Sequence, residues 1–111
     1  MLRDIREPDW KIFRKIRVNA LDRFCQRVLD EISRIASDTG QTSHQRYLAV
    51  YKLLQKRDDE LADAFNNPRR SAALPQLAHM RGLELLTDEE FALFSSDTLG
   101  AVNLLLGIQQ D

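Results

Sequence analysis

From residue 8 to residue 37 the chain contains no glycine, and its one proline stands at the first of those positions. Such a stretch favours a single unbroken helix. Proline is harmless in a helix's first turn, and nothing later removes a donor or loosens the backbone. Val18, Leu21, Cys25, Val28, Ile32 and Ile35 recur at alternating steps of three and four residues, the spacing of a seam along which one helix packs on another. At a rise of about 1.5 Å per residue the helix is about 45 Å long. A compact domain of this size has a radius of gyration of roughly 13 Å and is about 34 Å across. A straight helix therefore outruns a compact monomer, which predicts a partner for part of its length.

Capping signals mark the remaining elements. Glu7-Pro8-Asp9 opens the first helix with acids at the positive end of its dipole. Asp38-Thr39-Gly40 closes it, with Gly40 expected in the left-handed conformation. Thr42 and Gln45 have the spacing of a capping box. After them Tyr47, Val50, Tyr51, Leu54, Leu61, Ala62 and Phe65 form an apolar stripe to about Asn66. The short connection makes the two helices antiparallel neighbours. Asn66-Asn67-Pro68 breaks the chain, and a third helix is expected to start at Pro68 and run to Gly82, kinked or delayed by Pro75. Thr87 to Glu90 is a second capping box. Ser95-Ser96-Asp97 is a further cap, followed by Leu99, Val102, Leu105 and Leu106. No segment alternates apolar and polar residues in the manner of a strand. The prediction is one all-α domain over residues 1–111: an antiparallel long-helix hairpin (about 8–37 and 43–66), with two or three shorter helices (about 69–82, 88–95 and 97–106) packed on it.

Residues 74–94 place a leucine-rich helix ahead of Thr87-Asp88-Glu89-Glu90-Phe91 and resemble the short C-terminal helix-hairpin modules of some bacterial proteins. Gly82 stands earlier than in that pattern, and the basic residues usual in its second helix are absent. The likeness is one of turn chemistry and assigns no family.

Composition narrows the function classes. The longest wholly apolar run is Leu104-Leu105-Leu106, so no membrane span is expected. No apolar stretch follows the N-terminal charges, so no signal peptide is expected. One cysteine permits no internal disulfide, and the cytoplasm is the expected compartment. The net charge of −1 conceals an asymmetry. Residues 1–27 carry Arg3, Arg6, Lys11, Arg14, Lys15, Arg17, Arg23 and Arg27. After Arg81 there is no lysine or arginine, whereas Glu84, Asp88, Glu89, Glu90, Asp97 and Asp111 are acidic. A basic surface for nucleic acid is one reading. Pairing of the basic and acidic ends is the simpler one, because a dedicated nucleic-acid binder is usually basic as a whole.

Candidate chemistry is sparse. Cys25 falls on the apolar seam and reads as a small buried hydrophobe rather than a nucleophile. His44 and His79 lack metal-ligand spacing, so no metal, cofactor or catalytic residue is expected. Asp58, Asp59, Glu60 and Asp63 read as a solvated face beside Lys56 and Arg57. Asn67, Arg69, Arg70 and Ser71, at an expected helix start, suit an anion. Trp10, Phe13, Arg14, Arg17, Val18 and Leu21 combine aromatic, basic and apolar side chains on the first helix and are the expected interface. The functional expectation is a small helical protein that works without catalysis by protein–protein association, as a homodimer or with another helical protein. The alternative is a nucleic-acid-binding accessory module using the basic first helix with Arg69 and Arg70.

Overall fold

The computed structural model describes residues 4–107, and they are helical with no strand among them. The order is α1 (Glu7–Ala36), α2 (Ser43–Phe65), a single 3-10 turn (Arg70–Ala72), α3 (Ala73–Gly82), α4 (Asp88–Phe91) and α5 (Ser96–Leu105). α1 and α2 form the expected antiparallel hairpin, and the shorter helices pack at one end of it. The molecule measures 51 × 30 × 24 Å, with a radius of gyration of 16.7 Å. It therefore exceeds the roughly 13 Å of a compact domain of this length, because the long helices are not folded back. No helix among the described residues is long and apolar enough to cross a membrane.

The core uses a different stripe of α1 from the one the periodicity suggested. Phe13, Ile16, Ala20, Phe24 and Val28 are buried, and only Val28 belongs to the expected seam. Val18 is 64% exposed, and Cys25 is exposed rather than buried. Leu21, Ile32 and Ile35 are half-buried. α1 carries two apolar stripes side by side. The stripe holding both phenylalanines faces α3, where Ala73, Leu74, Leu77 and Met80 are buried against it with Leu85, Phe91, Phe94 and Val102. Aromatic side chains bury the most area per residue, which favours that stripe for the core. The result is a well-packed head. Past Val28 in α1 and before Ala64 in α2 no side chain is buried, so the rest of the hairpin is a two-helix arm.

Helix ends follow the capping chemistry with local departures. Thr42–Gln45 and Thr87–Glu90 both form complete capping boxes. α1 ends at Ser37 in a right-handed conformation. Gly40 does not take the expected left-handed one, because the Asp38 carboxylate accepts from the Gly40 amide at 3.0 Å and shapes the turn itself. The helix expected from Pro68 begins only at Ala73. Pro75 thereby falls in the first turn of α3, where its missing donor costs nothing. Asn67 adopts φ 50° at the break.

α3 closes on a non-glycine residue. The Leu85 amide donates to Met80 O at 2.9 Å and the Glu84 amide to Arg81 O at 3.0 Å, the bond pair of a Schellman motif. Its left-handed position is Glu84, at φ 58°. Side chains other than glycine are strained there.

Asp9 joins the start of the chain to its last helix. Its side chain is 4% exposed. It accepts from the Ser95 amide at 3.1 Å, the Ser95 hydroxyl at 2.6 Å and the Thr98 hydroxyl at 2.5 Å. Burial alone would raise its pKa. The hydroxyls of Ser95 and Thr98, the Ser95 amide and the charge of Arg6 outweigh that and hold the carboxyl below its ordinary value of 3.8.

Asp9→Ala leaves three donors of Ser95 and Thr98 without an acceptor, and should lower unfolding stability by about 2 kcal/mol in urea titration. Because the folded pKa lies below the unfolded 3.8, the stabilisation from Asp9 is complete above that value. It is lost as pH falls through the folded pKa, and Asp9→Ala should flatten that acid limb. Glu84→Gly should raise stability by about 0.5 kcal/mol, the relieved strain less the entropy of an added glycine.

Candidate functional site

The arginines of α1 are largely occupied within the subunit. Arg17 donates to Phe65 O, the end of α2, at 2.6 Å, with its guanidinium 5.8 Å from the Phe65 ring. Arg23 donates to Leu85 O at 2.9 Å and to the two Glu90 oxygens at 2.5 and 3.2 Å. Arg27 reaches Leu83 O at 2.6 Å and also the carbonyl of Glu84. Arg70 donates to Ile5 O at 2.6 Å and pairs with Glu7 at 3.1 Å. Arg81 pairs with Asp88 at 3.0 Å, and its guanidinium lies 4.5 Å from the Phe91 ring. Basic and acidic ends of the chain thus meet inside one molecule at Arg23–Glu90, with a looser exposed contact between Arg6 and Asp97 at 3.8 Å.

Glu90 has the strongest electrostatic setting among these groups. The Arg23 hydrogen bonds, set against partial burial and joined by the Thr87 amide, the Arg23 charge and Asn19, lower its pKa from 4.5 to about 2. Glu90 also closes the capping box of α4. One carboxylate therefore fixes a helix start and the α1 arginine together.

The six expected interface residues separate in space. Phe13 lies wholly in the core, stacked on the half-buried Trp10 with ring centroids 5.3 Å apart. Arg17 is engaged with Phe65, and Leu21 packs against the core. Arg14 and Val18 are exposed, with Arg14 over the Trp10 ring at 5.6 Å. The expected anion group is also divided. Arg70 is tied to Ile5 and Glu7, while Asn67, Arg69 and Ser71 are exposed. Pro68 starts no helix, so the free amides of a helix N-terminus are missing from that position. His44 and His79 are both exposed. Among the described residues no group of three or more His, Cys, Asp or Glu side chains is placed to hold a metal ion. The groove between α3 and α5, about 320 Å³ in volume, is lined by aliphatic side chains and His79.

The surface that stands out lies on the apolar stripe expected along the second helix. On α2, Tyr47, Tyr51 and Leu54 are 68%, 53% and 40% exposed, with Leu48 beside them at 39%. Residues i, i+4 and i+7 share one helix face, so three of these form a continuous apolar stripe along the arm. Val50, Leu53 and Leu61 are half-buried on the adjoining face. α2 carries more apolar side chains than one neighbouring helix can cover. Comparing its two stripes with the width of a single helix contact was the available signal.

The charges of α2 are unusual as well. Arg46, Lys52 and Lys56 precede Asp58, Asp59, Glu60 and Asp63. The first turn holds no acid and the last turn no base. Arg46 in the first turn and Asp63 in the last stand against the helix dipole, which favours acids at the start and bases at the end by about 0.3–1 kcal/mol each. α1 has the favourable order, with Glu7 and Asp9 in its first turn and Arg34 in its last. Arg57, between Lys56 and Asp58, bridges Glu31 and Glu60 at 2.9 and 2.8 Å, whereas Lys52, Lys56, Asp58, Asp59 and Asp63 are exposed.

Arg23→Ala should lower stability by about 1.5 kcal/mol, the low end for hydrogen bonds to a charged group because Arg23 is partly solvated. In the same variant the Glu90 pKa, followed by carboxyl NMR, should rise from about 2 towards 4.5. The folded pKa is the lower one, so the contribution of this pair is present above 4.5 and is lost as pH falls towards 2.

No protein family, curated protein or solved structure matches the chain, and its function is read from the geometry of its own residues.

Proposed function

We propose that this is a small cytoplasmic association protein that works without catalysis, its two-helix arm binding a helical partner and forming a homodimer. The exposed stripe of Tyr47, Tyr51 and Leu54 on the arm carries this reading. Tyrosine supplies large contact area with little rotamer freedom to lose, which makes it a frequent anchor of protein interfaces. The arm also lacks a third layer, so a docking helix would complete its packing as in a helical bundle. The exposed single thiol of Cys25 suits a reducing compartment.

The alternative, nucleic-acid binding, would draw on Lys11, Arg14 and Lys15, which are exposed on the first half of α1. It has less support. Arg17, Arg23, Arg27 and Arg70 direct donors to backbone carbonyls within the subunit, which leaves fewer cations for phosphates.

Sedimentation equilibrium at micromolar concentration should give twice the 12.8 kDa of one chain. The double variant Tyr47→Ser/Tyr51→Ser should weaken the dimer at least tenfold while retaining helicity. A mass of one chain at tens of micromolar would rule out the homodimer. Salt-sensitive retention on a mixed nucleic-acid pool, lost on Arg14→Ala, would favour the alternative.

A further inference from the structure

We propose that α5 is a hinged strap. It opens from the head as a unit, turning about Ser95 while α1 to α4 stay folded, and Asp9 is the catch that holds it shut. Three observations carry this. The first is how little of α5 is buried. Thr98 and Val102 are its buried residues, whereas α3, also ten residues long, buries six. Leu99, Ala101 and Leu106 are half-buried against the core, and Leu104 and Leu105 are 73% and 41% exposed. Gly100 stands in the interior of the helix, where glycine is disfavoured. A helix this short does not persist by itself in water, so α5 depends on what it is docked to.

The two ends of α5 are fastened differently. At its start the Asp9 carboxylate accepts from the Ser95 amide and hydroxyl and from the Thr98 hydroxyl. The same negative charge faces the positive end of the α5 dipole. Arg6 and Asp97 add a looser, exposed tie. At its other end α5 rests on α3 through Leu106, which lies so near Gly82 that a Cβ built there would be 3.4 Å from the Leu106 side chain. Beside that contact the two helices part into the open groove of about 320 Å³, with Ala78, His79 and Gly82 on one wall and Leu105 and Leu106 on the other. A polar catch thus closes one end, and loose apolar packing closes the other.

The third observation is the hinge. Phe91 and Phe94 are 8% and 4% exposed, and Arg23 grips Glu90, so α4 and the turn after it are anchored in the head. Ser95 is the next residue. It has extended backbone angles as the N-cap of α5, and both its amide and its hydroxyl go to Asp9. Rotation at Ser95 breaks the Asp9 bonds and lifts Val102 out of the core without displacing Phe94. Elements with few buried contacts are the ones that open locally in native proteins. Opening bares the side of α3 that carries Ala78 and Gly82, and turns the groove into a longer apolar trough.

Native-state hydrogen exchange, at a series of urea concentrations below the unfolding transition, tests the strap. Relative to their unstructured rates, the α5 amides from Leu99 to Leu105 should exchange at least tenfold faster than those from Ile16 to Phe24 in α1. They should also depend little on urea, because opening α5 exposes little surface. Asp9→Asn should speed the α5 amides at least tenfold further and keep that weak dependence. Thr98→Val, nearly the same shape and lacking one donor, should speed them severalfold and carries the test if Asp9→Asn does not fold. In a Cys25→Ser background, Val102→Cys should be labelled by a small thiol reagent through the same opening, again with weak urea dependence. If the α5 amides show the urea dependence of the α1 core, or Val102→Cys is labelled only above the unfolding transition, α5 leaves only with the whole fold and the strap is overturned. α5 exchange unchanged in both Asp9→Asn and Thr98→Val would overturn Asp9 as its catch.

Discussion

Two arginines on one helix hold the head of this protein together. Arg27 and Arg23 take three consecutive backbone carbonyls, those of Leu83, Glu84 and Leu85, at the end of α3. These carbonyls lie just past the last helical residue, Gly82, in a turn whose Glu84 is strained into the left-handed region. Arg23 goes on to grip Glu90, which caps α4. The end of one helix, the start of the next and the body of α1 are thus fixed through two side chains. Arginine suits this task because its planar guanidinium presents several donors in a fixed fork. The buried leucines and phenylalanines supply the larger share of the stabilisation, since burial scales with apolar area. The arginines decide which way the short helices lie when that area is buried.

The elements of the fold were legible in the sequence because local chemistry specifies them. The capping pairs Thr42/Gln45 and Thr87/Glu90, the proline at the start of α1 and the break at Asn66-Asn67 act over a few residues and need no tertiary information. The face of α1 that enters the core was not legible. Its stripes through Phe13–Phe24 and through Val18–Cys25 have equal helical periodicity, and the choice depends on what lies opposite. The partners of Arg23 and Arg27 were hidden for a related reason. They are carbonyls more than fifty positions away in sequence, and a carbonyl carries no residue-type signature. The end of α3 at Gly82 was legible, but its left-handed position falls on Glu84, which lacks the glycine that usually marks such a site.

The molecule divides its labour along its length. At one end α3, α4 and α5 pack on the hairpin around a continuous apolar core. At the other, α1 and α2 extend as a pair whose outer apolar stripe meets solvent. On α1, Arg17, Arg23 and Arg27 serve the head as struts, while Lys11, Arg14 and Lys15 stay exposed. The binding surface we propose lies on the exposed apolar stripe of α2, at Tyr47, Tyr51 and Leu54.

The bonds from Asp9 to Ser95 and Thr98 span 86 and 89 positions of sequence, and that separation orders assembly in time. A hairpin whose helices are joined by a short turn closes at little entropic cost, whereas a contact across nearly the whole chain becomes affordable only when the intervening segments are already compact. α5 therefore completes the fold.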